Sequence, residues 1–146
     1  MAALKSDGTL TFVVLGDPKP KARPRQMTNK KSGSSFWYMP QTMIHHRDVI
    51  RNVAFNFKDQ ILALIEQDHL GRVTVGAHFV FKRASHPDLD NCQALIFDAI
   101  SLGIGKNDRQ FCPGKVTFDV NRELEEGTTL VTISPYENGE QEESLI

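Results

Sequence analysis

Val73–Ile100 reads VTVGAHFVFKRASHPDLDNCQALIFDAI, and its periodicity changes once, around His86-Pro87-Asp88. Before that step Val73, Val75, Ala77, Phe79 and Phe81 alternate with Thr74, Gly76, His78 and Val80. A period of two is that of a strand with one face in a core. Lys82 to Pro87 is a turn. Beyond it Leu89, Cys92, Ile96, Ala99 and Ile100 recur at three- and four-residue steps, the apolar face of a helix. Asp88 opens that helix, where a short carboxylate satisfies free backbone N–H groups. Gly103–Gly105 closes it.

The flanks extend the pattern. Thr9–Leu15 (TLTFVVL) is β-branched and apolar and reads as a first strand. Gly16-Asp17-Pro18 breaks it, and Lys19-Pro20-Lys21-Ala22-Arg23-Pro24-Arg25 follows as an extended basic segment whose prolines forbid helix. Residues 26–39 read as a long polar loop containing Lys30, Lys31, Gly33 and the pair Trp37-Tyr38. Loops of that length are usually functional or mobile. From about Gln41 to Gln67, Met43, Ile50, Val53, Ala54, Phe57, Ile61, Leu64 and Ile65 mark a helical region. Val116, Phe118 and Val120 form a third strand and Thr129–Ile133 a fourth, with Glu123–Gly127 as the expected hairpin turn between them. The result is an α+β, or mixed α/β, domain of four strands and two helices over residues 1–136. Residues 137–146 hold four acids and no base and read as a disordered tail.

At 146 residues with 40% hydrophobic and 24% charged content, the composition is that of a globular protein burying roughly 70% of its unfolded surface. No apolar run approaches the roughly 20 residues of a membrane span, and the N-terminus does not read as a signal peptide. Cys92 and Cys112 lack metal-ligand spacing and read as reduced residues of a cytoplasmic protein. The net charge of −1 conceals an asymmetry. Residues 1–58 hold ten Lys and Arg against three acids, a balance of +7, and residues 59–146 hold seven against fifteen, a balance of −8. A basic block beside acids that a metal could neutralise points to a nucleic-acid partner.

Asp88, Asp90, Asp98 and Asp108 fall within 21 positions. Carboxylates at such density repel one another in a shared pocket unless a cation joins them, and two or three carboxylates are enough for Mg²⁺, which keeps several waters. The plainer reading leaves Asp88 a helix cap and the rest surface acids. Lys19, Lys21, Arg23 and Arg25 alternate, so in an extended chain they project to one side and can follow a phosphate backbone. A solvated basic loop is the plainer alternative. Phe36, Trp37 and Tyr38 suit either stacking on an unpaired base or packing at an interface. One of His45 and His46 could face phosphate, and His86 neighbours the acids.

Asp88-Leu89-Asp90-Asn91, then Asp98-Ala99-Ile100, then Asn107-Asp108-Arg109-Gln110 resemble the signature of the RusA family of Holliday-junction resolvases, as does Gly16–Arg25 with its basic Pro-rich turn. The resemblance runs over about residues 10–134. It implies a RusA-like homodimer that nicks four-way branched DNA at paired positions in recombination and repair, with Mg²⁺ or its substitute Mn²⁺. It places the catalytic and metal-binding acids on Asp88, Asp90 and Asp108, and the alternating Lys19, Lys21, Arg23 and Arg25 are the DNA-binding candidates. Asp98, Asn91 and Lys106 are accessory candidates. Members occur widely in phages and prophages, which implies the cytoplasm of a bacterial or infected cell. The family Lys falls on Ala94 here, with Lys106 and Lys115 as candidate replacements, and the family's paired acid is reduced to Asn107-Asp108. Two alternatives follow: a junction-binding protein with little or no cleavage, and a nuclease for other branched DNA.

Overall fold

The computed structural model describes residues 2–136; the expected acidic tail, 137–146, lies outside the described residues. The elements in chain order are β1 (Ala2–Leu4), β2 (Leu10–Leu15), β3 (Arg25–Thr28), β4 (Ser35–Tyr38), α1 (Gln41–Asn56), α2 (Lys58–Gln67), β5 (Val73–Phe81), α3 (Leu89–Ile104), β6 (Phe111–Val120) and β7 (Thr128–Pro135), with a short 3₁₀ turn at Asp108–Gln110. The class is α+β, with a mixed sheet in the order β1-β2-β7-β5-β6 and a separate hairpin of β3 and β4.

The strand and helix predicted from Val73–Ile100 both form. Val73, Val75, Ala77, Phe79 and Phe81 are buried, and Cys92, Ile96, Ala99 and Ile100 press against that face of the sheet. β5 and β6 are parallel, joined through α3, and β7 runs antiparallel to both β2 and β5. A parallel pair needs such a crossover, so α3 is tied by topology to β5 and β6.

Four details differ from the sequence expectation. A short β1 pairs with β2 across a turn in which Asp7 Oδ1 accepts the Thr9 N–H and Gly8 takes φ +93. The helical region divides at Phe57, whose φ of −110 and ψ of 23 end α1 and admit α2. Residues 26–39 are not an open loop but contain the β3–β4 hairpin. Glu123–Gly127 is not a hairpin turn, because β5 lies between β6 and β7. The connection instead crosses the end of β5. There Asn121 N–H donates to Phe81 O at 2.8 Å, and a Cβ on Gly127 would collide with Val80 O. Asp17 Oδ1 accepts the Gly127 N–H at 2.6 Å, holding the crossover to the end of β2. The expected four strands and two helices thus become seven strands and three α-helices among the described residues.

α3 also packs on α1. At Gly103 an added Cβ would sit 2.7 Å from Arg51 O and 2.9 Å from Ala54 Cβ, so the two helices touch backbone to backbone. The helix ends two residues later at Gly105, in the left-handed region, with its N–H on Ser101 O at 2.9 Å.

Candidate metal centre and nucleic-acid interface

The start of α3 carries the first two acids. Asp88 is the N-cap, and its Oδ1 accepts the Asp90 N–H at 2.8 Å. Both residues are exposed. The other Asp88 oxygen and both Asp90 oxygens take no hydrogen bond from the described residues. Capping and metal binding are therefore compatible in Asp88, since the cap uses one oxygen of two. Two adjacent carboxylates offering hard oxygens to solvent fit a hydrated Mg²⁺ or Mn²⁺. Burial, then the Asp88 charge, pushes the neighbouring Cys92 thiol up to about 11, leaving it a protonated core group.

Asp108 is not part of that pair. It begins the 3₁₀ turn beyond the far end of α3, and 16 helical residues span about 24 Å. The Asn107 side-chain oxygen, a candidate metal donor, accepts the Arg109 N–H at 3.0 Å. Among the described residues no group of three or more His, Cys, Asp or Glu is placed to hold a metal. Asp98, two turns along α3 from Asp90, is half-buried and paired with Lys21 at 3.8 Å.

The basic segment lies against this helix. Lys21 N–H donates to Asn91 O at 2.8 Å, and Ala22 N–H points to Met43 Sδ at 3.3 Å. With its backbone at Asn91 and its ammonium at Asp98, Lys21 runs beside the part of α3 that carries Ala94. Neither Lys106 nor Lys115 does so. Lys106 follows the far end of α3, its carbonyl bonded by the Ser101 hydroxyl, and Lys115 lines a hollow beside Thr74, His78 and Thr132 on the sheet. The four cations do not form one row. Lys21 turns to α3, Lys19 lines clefts on either side of the segment, and Arg23 and Arg25 are exposed.

One cleft, of about 250 Å³, lies between the basic segment and the turn before α3. Asp17, Lys19, Lys82, Arg83, Ser85 and His86 line it. Lys82 and Arg83 were not among the sequence-derived candidates, although two consecutive cations separated by four residues from the acidic helix start at Asp88 were the available signal. Lys82 Nζ also donates to Glu125 O at 3.0 Å. The His86 ring stacks on Phe81 with centroids 4.3 Å apart and meets Phe118 at 4.9 Å, while its Nδ1 pairs with Pro87 O at 2.8 Å. His86 is thus a packed positioning group for the turn. A second cleft contains Lys19, His45, His46, Asp17 and Glu126. His45 is exposed, whereas His46 is buried, and burial, with help from Lys19 and His45, lowers its pKa to about 4.

No helix among the described residues is long and apolar enough to cross a membrane. No curated protein matches the chain. Solved structures that align with it include 2C-methyl-D-erythritol 2,4-cyclodiphosphate synthase from Plasmodium vivax and the CDP complex of IspF from Plasmodium falciparum. They cover 87% and 89% of this chain and 93% and 96% of their own, at 12% and 13% identity and TM-scores of 0.35 and 0.34. Likeness that weak bears on neither mechanism nor ligand. The family model described as endodeoxyribonuclease RusA matches residues 16–134, from the end of β2 through β7 and across every acid and cation of the site. The chain belongs to the RusA endodeoxyribonuclease family.

Proposed function

We propose that this chain resolves four-way DNA junctions by paired nicks, in recombination and repair, as a twofold dimer that uses Mg²⁺ with Mn²⁺ as a substitute. The observation that carries the reading is the Lys21 N–H to Asn91 O bond. It fastens the phosphate-binding segment to the helix start that presents Asp88 and Asp90, so cations and carboxylates share one surface.

The separation of Asp108 from Asp88 and Asp90 supports a dimer in particular. In such a dimer a twofold axis would relate the start of one α3 to the end of its copy. The start of each α3 would then lie beside the end of the other, and Asp108 of the partner subunit would join Asp88 and Asp90. Phe55 and Leu102, 63% and 52% exposed, lie in the last turns of α1 and α3 and add apolar surface on the Asp108 side that a second copy would cover. A bound divalent ion would polarise the phosphodiester and make a water nucleophilic at neutral pH. In this scheme Asp88 and Asp90 hold the ion, Lys19, Lys82 and Arg83 grip the flanking phosphates, and Lys21 places positive charge beside Ala94 while balancing Asp98. Backbone contacts of this kind carry little base information, which suits recognition of branch shape.

The test is nicking of a synthetic four-way junction against linear duplex, with and without Mg²⁺, in the wild type and in mixtures of Asp90→Asn with Asp108→Asn. Each variant alone should be inactive. In a mixed dimer one composite site keeps both acids, so single nicks should return. No recovery from heterodimers of demonstrated mixed composition would refute sharing of the site between subunits. Ala94 favours a second reading, a junction binder with little or no cleavage. That protein would shift junctions in EDTA with salt-sensitive affinity and leave them uncut with either ion. A flap substrate cut faster than the junction would assign the activity to other branched DNA.

A further inference from the structure

The β3–β4 hairpin is an arm. All eight of its strand residues are exposed, and the two strands pair only with each other. A lone two-stranded hairpin is marginally stable in water, yet this one has an ordered tip. Asn29 exchanges backbone bonds with Ser34 and Gly33 at 2.7 Å, its side chain accepts the Lys31 N–H at 2.9 Å, and Gly33 takes φ +72. Each strand of four residues reaches about 13 Å, with Lys30 and Lys31 at the end.

Both faces of the arm carry an aromatic ring. Register pairs Gln26 with Trp37 on one face and Met27 with Phe36 on the other. Trp37 is 67% exposed, Phe36 50% and Met27 49%. Such apolar surface needs a partner, and charge decides which. From residue 18 to residue 47 the chain has seven Lys or Arg and no acid, so the arm continues the cationic track of Lys19–Arg25. The complement of an arm set in this acid-free basic stretch, whatever the separate directions of Lys19 and Lys21, is a polyanion that also exposes flat apolar rings, namely DNA with unpaired bases.

We propose that the Arg25–Tyr38 hairpin reads the branch point: Lys30 and Lys31 contact phosphate, and Trp37 and Phe36 stack on bases exposed at the open centre, one on each face. The proposal rests on the junction-binding reading and specifies the part of the DNA that the arm takes. Base–aromatic stacking tolerates any base, so the arm recognises an opened branch without selecting a sequence.

Trp37 is the only tryptophan, so its emission reports on the arm alone. The full chain is titrated in EDTA with a four-way junction and with linear duplex of equal length, and binding is followed in parallel by mobility shift. Emission should fall at least twofold on the junction and stay nearly constant on duplex. Trp37→Ala should weaken junction binding by roughly 5- to 100-fold, the range produced by losing one base stack, and leave duplex binding unchanged. Trp37→Phe should retain most of the affinity. Junction bound without an emission change, or bound equally well by Trp37→Ala, would overturn the arm's role while leaving junction binding intact. A blue shift that grows with protein concentration in the absence of DNA would also overturn it, by assigning the arm to a second copy. No junction affinity in the wild type would instead remove the underlying reading.

Discussion

His46 makes the fold sensitive to mild acid. It lies on α1, 7% exposed, in a cleft wall shared with Lys19, His45, Asp17 and Glu126. Burial, then the Lys19 and His45 charges, lower its pKa from 6.5 to about 4. The unfolded chain therefore takes up a proton near pH 6.5 that the folded chain refuses until about pH 4. Stability from this group is complete above pH 6.5 and is lost as pH falls toward 4. At roughly 1.4 kcal/mol per pH unit the full loss is about 3 kcal/mol, of which about 2 kcal/mol falls between pH 7 and pH 5. Against a typical total of about 5–15 kcal/mol that is a large fraction. Asp68, held down at about 2 chiefly by hydrogen bonds from the Arg72 side chain, loses its contribution only below its ordinary pKa of 3.8 and stays outside this window. Urea denaturation at both pH values reads the effect, as a fall of roughly 1 M in midpoint for a chain with an ordinary urea dependence. His46→Leu keeps the apolar volume and removes the proton site, so its midpoint should move far less. Equal losses in wild type and His46→Leu would refute the assignment.

Other consequences are direct. Gly103→Ala forces a Cβ against Arg51 O and Ala54 and should destabilise by about 1–3 kcal/mol, read as a lower thermal midpoint. Replacing both Arg23 and Arg25 with Ala should flatten the slope of log affinity against log salt by roughly 2 if each meets one phosphate; an unchanged slope would remove them from the interface. Ala94→Lys should raise nicking if the cation supplied by Lys21 limits turnover, and Lys21→Met should lower it; no change in either variant would show that another group fills the role.

The central strand–turn–helix was legible because both periodicities are strong and a proline and an Asp cap separate them. Strand order was not. The segment between β6 and β7 looks like a hairpin by length, and only the path over the end of β5, fixed by Gly127 and Asp17, shows otherwise. The β1–β2 turn had a signal in Asp7-Gly8, a pair suited to tight turns, but strands of three residues give too few alternations to count. The β3–β4 hairpin is hidden for another reason: its residues are exposed on both faces, so no core imposes a polar–apolar alternation. Motif spacing located Asp88, Asp90 and Asp108, but helix length, not spacing, determines that Asp108 falls at the opposite end.

That end-to-end separation bears on how DNA and metal depend on each other. With no ion present, the exposed Asp88 and Asp90 carboxylates follow directly on Pro87, which lines the cleft where Lys19, Lys82 and Arg83 would take phosphate beside Asp17. Bound metal changes the sign of that local field. Junction affinity should accordingly rise when Ca²⁺, a non-cleaving probe in this assay, is added at constant ionic strength. Asp90→Asn removes one repulsive charge and one ligand together, so it should bind junction several-fold more tightly than wild type in EDTA, gain less from Ca²⁺, and give no nicks with Mg²⁺. A variant that binds more tightly yet still cuts at the wild-type rate would place the ion elsewhere, and one that loses both binding and folding would give Asp90 a structural role that its exposed position at the start of α3 does not support.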